Sequence, residues 1–335
     1  MGKPQNRLRL RLELIGEASE QAASDCPLEV RRRLFASIVS EADSEVFEGW
    51  SEWRFAMLEA AASFCEDPQT RTMLEAMLDD YLNNSGEGLT ADYNRNSLKS
   101  IQLKLIEQFD SPEKADAFLL ENISVSEFRE IAIEKAISSS EFARALKLSS
   151  EGEYTDREWP GKVLRWKKLR YKIYELTGDL KDQQLLGYEL VLKNEYEYYE
   201  KLKDLYNSSE WPAVLESILI SLESERFNSI YKKILIEENE TERLLNYCVE
   251  NKNSILELYP FLKEPYPQEV KNIFIEVLQQ DAKEASNRRR YQDVCNRIKV
   301  YRKACGSQST AELVEELMRI FSRKPAFIDE LSKLR

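Results

Sequence analysis

Apolar residues along this chain recur at helical rather than strand spacing. Trp211, Val214, Leu215, Ile218, Leu219 and Leu222 follow an i, i+3, i+4, i+7, i+8, i+11 series, which places all six on one face of an α-helix. Val270, Ile273, Phe274, Val277 and Leu278 repeat the stripe. Trp166, Leu169, Ile173 and Leu176 form a third, and Tyr291, Val294, Ile298 and Tyr301 a fourth. Strict alternation occurs only from Arg7 to Leu14, where Leu8, Leu10, Leu12 and Leu14 are interleaved with polar residues. That segment reads as the first helix, with a short strand as the alternative.

Helix-start chemistry divides the pattern. Asp67-Pro68 and Ser111-Pro112 put a capping side chain before a proline at the first helical position. Ser124 with Glu127, and Ser309 with Glu312, fit the capping box, in which each side chain satisfies a backbone N–H of the first turn. Pro160, Pro212, Pro260 and Pro267 mark further starts or ends. The result is roughly eighteen helices of about 10–18 residues joined by short links. Two stretches read as loops, Asn83–Thr90 with two glycines and Ser149–Asp156 with one. They delimit three helical regions, 1–84, 90–150 and 155–335. From Trp159 onward the helices pair with a spacing of roughly 30–34 residues, the period of tetratricopeptide hairpins. The expected fold is all-α, a tetratricopeptide-like α-solenoid in which each hairpin buries its apolar sides against its neighbours.

Composition supports helices. Only 10 of 335 residues are glycine, which is scarce for a fold rich in tight turns, while Leu, Glu, Lys and Ala are good helix formers. The net charge of −12 opposes wholesale coating of nucleic acid or an anionic membrane, although a local basic face remains compatible with it. No run approaches 18 apolar residues, so no membrane span is expected. Arginines at 7, 9 and 11 interrupt the leucines near the amino terminus, unlike a signal-peptide core, and a cytoplasmic location is expected. Five widely spaced cysteines without a C-x-x-C pair read as reduced, partly buried residues. The chain has no histidine, which removes Ser-His-Asp and Cys-His catalysis, histidine metal ligands and the usual general base near pH 7. No phosphate loop or dinucleotide fingerprint is present. An enzyme, a cofactor and a bound metal are therefore not expected.

The run Leu169–Asp179 looks like the turn of a tetratricopeptide hairpin. The stretch from Trp159 to Arg335 resembles the carboxy-terminal helical region of bacterial SWIM zinc-finger proteins, through Trp211, Leu258–Leu262, Pro265–Val270, Asn287–Tyr291 and the ending Arg323–Leu334. The SWIM module needs C-x-C followed by C-x-H, and this chain has neither, so no zinc chemistry is carried over. The resemblance implies the helical-repeat region alone, with a role in protein or nucleic-acid interactions.

Three constellations bear on function. Lys162, Arg165, Lys167, Lys168, Arg170 and Lys172 scatter around one helix, as expected of side chains that pair with acids such as Glu158 and Glu175. Arg288, Lys299, Arg302 and Lys303, with Arg289 at the edge, share one face at about 100° per residue. These five are the candidate contacts to an acidic partner or nucleic acid, weighed against an ordinary solvated face. Aromatics gather at Trp50 and Trp53 and at Tyr188, Tyr196, Tyr198, Tyr199 and Tyr206, where packing between helices is the leading expectation. Acidic runs at Glu237–Glu240 and Asp79–Asp80 lack calcium-loop spacing and read as solvated surface. The expected function is a non-enzymatic scaffold that binds a protein partner; the alternative is a nucleic-acid-associated protein using the 288–303 helix.

Overall fold

The computed structural model of the protein describes residues 3–44, 47, 50–223 and 229–334, with side chains from Leu12 onward. The described residues are overwhelmingly helical and contain no strand. The segment around Leu8 to Leu14 is helical, as expected. The chain divides into two compact units, Met1–Asp179 and Leu180–Arg335.

Unit 1 holds α1 (Lys3–Asp25), α2 (Leu28–Ala42), α3 (Ser51–Ala62), α4 (Pro68–Asn83), α5 (Leu89–Phe109), α6 (Pro112–Glu121), α7 (Ser126–Ser138), α8 (Phe142–Thr155) and α9 (Pro160–Thr177). Its first half is organised around α3, which packs against α1, α2, α4 and α5. Phe55, Met57, Leu58, Ala60, Ala61 and Ala62 of α3 are all buried. They meet Phe35, Leu74, Leu78, Leu98 and Leu105 in one core. Three consecutive alanines let neighbouring helices come close, and burial around most of the helix explains why α3 has no single apolar stripe. Polar links fix the ends. Asp67 caps α4 by accepting from the Gln69 amide at 3.2 Å and also receives Arg32 of α2 at 2.6 Å. Arg71 of α4 pairs with Asp110 just after α5.

The second half of unit 1 locks α7, α8 and α9 together, and the expected loop at Ser149–Asp156 is instead the end of α8. Gly152 is there because of packing. A Cβ at this position would lie 2.8 Å from Arg129 Cδ and 2.9 Å from the Trp166 ring. The indole of Trp166 is fully buried against that bare backbone, and its Nε1 donates to Asp156 Oδ2 at 2.8 Å. Ser126 Oγ also bonds Asp156 Oδ2 at 3.1 Å and receives Lys162 Nζ at 2.8 Å. This tertiary use of Ser126 places the start of α7 at that residue, so the Ser124–Glu127 capping box does not form. By contrast, the 84–88 loop is where expected, with Gly86 and Gly88 at φ 71° and 105°, a region glycine enters freely.

Unit 2 holds α10 (Leu180–Leu192), α11 (Glu197–Asp204), α12 (Trp211–Glu223), α13 (Ser229–Glu237), α14 (Thr241–Glu250), a 3-10 turn (Lys252–Ser254), α15 (Ile255–Leu262), α16 (Pro267–Glu284), α17 (Arg288–Ile320) and α18 (Pro325–Ser332). The stripes of α12, α16 and α17 are inside: Trp211, Ile218, Phe274, Leu278, Ile298 and Tyr301 are all buried. Phe274 touches Tyr259 and Tyr301 at ring separations of 5.9 and 5.6 Å. In α9 of unit 1 the predicted stripe ends early, with Leu176 52% exposed while Tyr171 and Tyr174 are buried instead.

Three boundary readings in the chain are corrected. Ser111 precedes proline at the first position of α6 but makes no cap bond to the backbone. Pro260 lies inside α15 rather than at its edge. Ser309 and Glu312 do not start a helix, because α17 breaks earlier, at Gly306 (φ 84°, ψ 169°), and Thr310 Oγ1 donates to the Gly306 carbonyl at 2.8 Å.

Two substitutions test this packing. Gly152→Ala should cost about 1–3 kcal/mol through overpacking at the α8–α9 contact, and Phe274→Ala about 3–5 kcal/mol through a cavity. Urea denaturation measures both. A loss below about 0.5 kcal/mol, the range of surface substitutions, would contradict the burial described.

Candidate partner-binding surfaces

The five basic candidates all lie exposed on α17, but they do not act alike. Arg288 reaches Glu330 at 2.8 Å and Asp329 at 2.5 Å on α18. Arg302 donates to the carbonyl of Leu334 just beyond the end of that helix. Lys299 donates within its own helix, to Asn296 Oδ1 at 3.1 Å. Arg289, Lys299 and Lys303 thus point outward, whereas Arg288 and Arg302 hold α18 down. Glu330 is 6% exposed. Lys333 and then Arg288 hydrogen-bond its carboxyl and hold it below the usual glutamate range. Lys324 secures the other end of α18 by donating to the carbonyls of Ala282, Lys283 and Ala285 at 3.0, 3.2 and 2.8 Å, the exit of α16.

On α9 the cations do pair with acids, though not those adjacent in sequence. Arg165 reaches Glu130 at 2.9 Å, Lys167 and Arg170 share Glu153 at 3.4 and 2.8 Å, and Lys162 faces Asp156 at 3.7 Å. The tyrosine group of unit 2 fills space between helices, as expected. Tyr199 is buried and donates to Glu238 Oε1 at 2.6 Å, which also receives Lys203 at 2.5 Å. Glu238 is therefore no solvated acid. Burial works to raise its pKa, but the bonds from Lys203 and Tyr199 outweigh it and keep the carboxyl below its ordinary range. The Ser126–Lys162–Asp156 cluster brings a hydroxyl, an amine and a carboxylate together, yet Ser126 is only 3% exposed and its oxygen is engaged on both sides. It serves as a joint between helices. Among the described residues, no three His, Cys, Asp or Glu side chains gather where they could hold a metal ion, and no helix is long and apolar enough to cross a membrane.

A concave surface of unit 1 follows from how α3 is surrounded. Four helices cover it, and Glu52, Ala56, Glu59 and, just past its end, Ser63, none of them buried, fall at i, i+4, i+7 and i+11, a single stripe. Small and charged side chains cannot fill the gap between α1 and α5 above this stripe. A trough of about 800 Å³ results, bounded by Glu13, Gly16, Glu17 and Glu20 of α1, the Trp50–Trp53 pair and Lys104 of α5. A second hollow of about 420 Å³ shares Glu52, Ala56 and Glu59 with it, and a third of about 560 Å³ shares Glu20, Ser63 and Lys104. Trp50 and Trp53 stack at 4.5 Å with planes 15° apart. Trp53 is half-buried while Trp50 is 47% exposed.

Sequence reasoning singled out Trp50 and Trp53 but assigned them to packing between helices, and it passed over the carboxylates beside them. The signal for the trough was present in α3: two glutamates seven residues apart on a predominantly apolar helix mark a buried helix with one uncovered strip. No family model matches the chain, and no curated protein matches it.

The clamp on α18 depends on pH with a defined sign. Because Glu330 titrates below its ordinary value near 4.3, the clamp is fully present above that value and is lost as the pH falls through the lowered pKa. Amide protection factors across Pro325–Ser332 should hold at pH 6 and fall only once the pH drops below the ordinary glutamate range, and Arg288→Ala should lower them at pH 7. Protection that ignores both changes would show that α18 is held by Phe327 and Leu331 packing alone.

Proposed function

We propose that the chain is a non-enzymatic interaction scaffold of tetratricopeptide-like helical hairpins that binds a protein partner through the trough of unit 1. The observation that carries this reading is the exposed face of Trp50 at the mouth of that trough. Tryptophan is the residue most enriched at binding hot spots, and a ring held rigid by stacking gives up little freedom when it is covered. Most other large aromatics are consumed by packing, so an indole left half open beside a concave surface points to contact with something outside the chain. The absence of histidine and the enclosed Ser126 fit a binding rather than a catalytic role. The resemblance to the helical region of SWIM proteins supports the same class.

A nucleic-acid role remains the second reading, favoured by the outward-facing Arg289, Lys299 and Lys303. Reversal of Arg288 or Arg302 would disturb α18, so only the other three test it cleanly.

Capture from a lysate of the source organism separates the two. Under the first reading a protein partner survives nuclease treatment and is lost from Trp50→Ala, at a cost of about 2 kcal/mol or more for a hot-spot tryptophan. It is retained by Arg289→Glu with Lys303→Glu. A capture that disappears with nuclease and with the arginine–lysine reversal, while Trp50→Ala leaves it unchanged, would establish the second reading.

A further inference from the structure

The trough is acidic as well as aromatic, and its charges are arranged. Glu13, Glu17 and Glu20 follow one side of α1, and Glu52 and Glu59 follow the uncovered strip of α3. At 1.5 Å per residue each row runs for about 10 Å. Glu59 is neutralised by Lys104 at 3.0 Å, the single cation on the lining among the described residues. Glu17, Glu20 and Glu52 make no ion pair with any described residue. Glutamates elsewhere in the unit are commonly paired, as Glu66 is with Arg31 at 2.9 Å and Glu153 with Arg170 at 2.8 Å. The stacked Trp50–Trp53 pair covers one face of each ring and leaves the outer face of Trp50 to solvent, where a guanidinium or ammonium group would meet the negative face of the π system.

The three connected hollows form an open furrow rather than an enclosed pocket, which suits a length of polypeptide better than a small molecule. The charge balance agrees. Residues 1–110, a third of the chain, contain 12 Lys and Arg against 20 Asp and Glu, a net −8 of the total −12, so the part of the chain that forms the furrow holds most of the acid excess.

Resting on the scaffold reading above, we infer that the trough takes a basic amphipathic segment of a partner protein, with Lys or Arg recurring every three or four residues. Its cations lie along Glu17, Glu20 and Glu52, one of them over Trp50, and its small apolar side chains lie on Ala56 and Gly16. Charge complementarity selects this occupant over an acidic peptide or nucleic acid, both of which the rows of carboxylates would repel.

The test uses the full chain and a fluorescein-labelled 16-residue helical peptide with lysines at i, i+4, i+7 and i+11. Twin peptides carry glutamine or glutamate at those positions. Anisotropy should show the lysine peptide binding at least tenfold more tightly than the glutamine twin, with no binding of the glutamate twin. Affinity should fall at least tenfold between 50 and 300 mM salt. Glu17→Lys with Glu20→Lys, or Glu52→Lys alone, should weaken it at least tenfold with unchanged circular dichroism. Glu17→Gln with Glu20→Gln should weaken it by less than the reversal, and Arg289→Glu with Lys303→Glu should not weaken it. Equal binding of the three peptides, or indifference to every glutamate substitution, overturns the inference. So does self-association of the chain that the glutamate substitutions abolish, which would assign the trough to a second copy. If no lysine peptide binds while Trp50→Ala still loses its lysate partner, the basic ligand is wrong and the scaffold reading stands. If the lysate partner ignores Trp50, the scaffold reading itself fails.

Discussion

A helix that is apolar around most of its circumference must be surrounded, and in unit 1 that helix is α3. Burying Phe55, Met57, Leu58 and the Ala60–Ala62 run requires neighbours on nearly every side, and α1, α2, α4 and α5 supply them. Each buried large side chain contributes about 1.5–3 kcal/mol relative to exposure, which dwarfs what the surface ion pairs around it add. Four cylinders cannot close completely around a fifth whose last strip carries Glu52 and Glu59, because neither carboxylate can enter an apolar contact without losing its water. The trough is the remainder of that geometry. The same side chains that stop the core from closing give the opening its charge.

The second half of unit 1 rests on the opposite device, a place where something is missing. Without a Cβ on Gly152, α8 admits the Trp166 indole to its backbone, and Asp156 then receives both the indole N–H and Ser126. Read in sequence, a glycine between serines and glutamates has the composition of a loop, and the helical alternative is invisible until the tryptophan fourteen residues later is placed beside it. Local chemistry fails here because the residue answers to a tertiary contact. The same reason explains the unformed capping box at Ser124, whose neighbour Ser126 bonds across helices rather than along its own.

Where burial decided the outcome, the pattern was legible. The stripes in α12, α16 and α17 are inside, Asp67 caps α4, and the prolines at 68, 112, 160 and 267 open helices. Periodicity reports which face is apolar, so it predicts these features directly. It reports nothing about which charged residue meets which. The basic face of α17 was readable as a face, but its division into residues that clamp α18 and residues that project outward depends on where a helix some forty positions later comes to rest. The pairing of Arg165 with Glu130 and of Arg170 with Glu153, rather than with Glu158 or Glu175, is a fact of the same kind.

This distinction bears on how charge in the two units should be understood. Unit 1 carries a net charge of −9 and unit 2 one of −3. In the α9 and α18 regions opposite charges are drawn into pairs that join helices, so little of their field extends beyond a Debye length of about 8 Å at physiological salt. In the trough the carboxylates stand in rows on two helices with one lysine among the described lining residues, and their fields add. A concave surface with low-dielectric walls concentrates such a field and raises the local density of cations before any contact is made. On the proposed reading, association at this surface begins with charge and ends with the indole. Salt therefore acts mainly on the rate of encounter, and the covering of Trp50 on the lifetime of what forms.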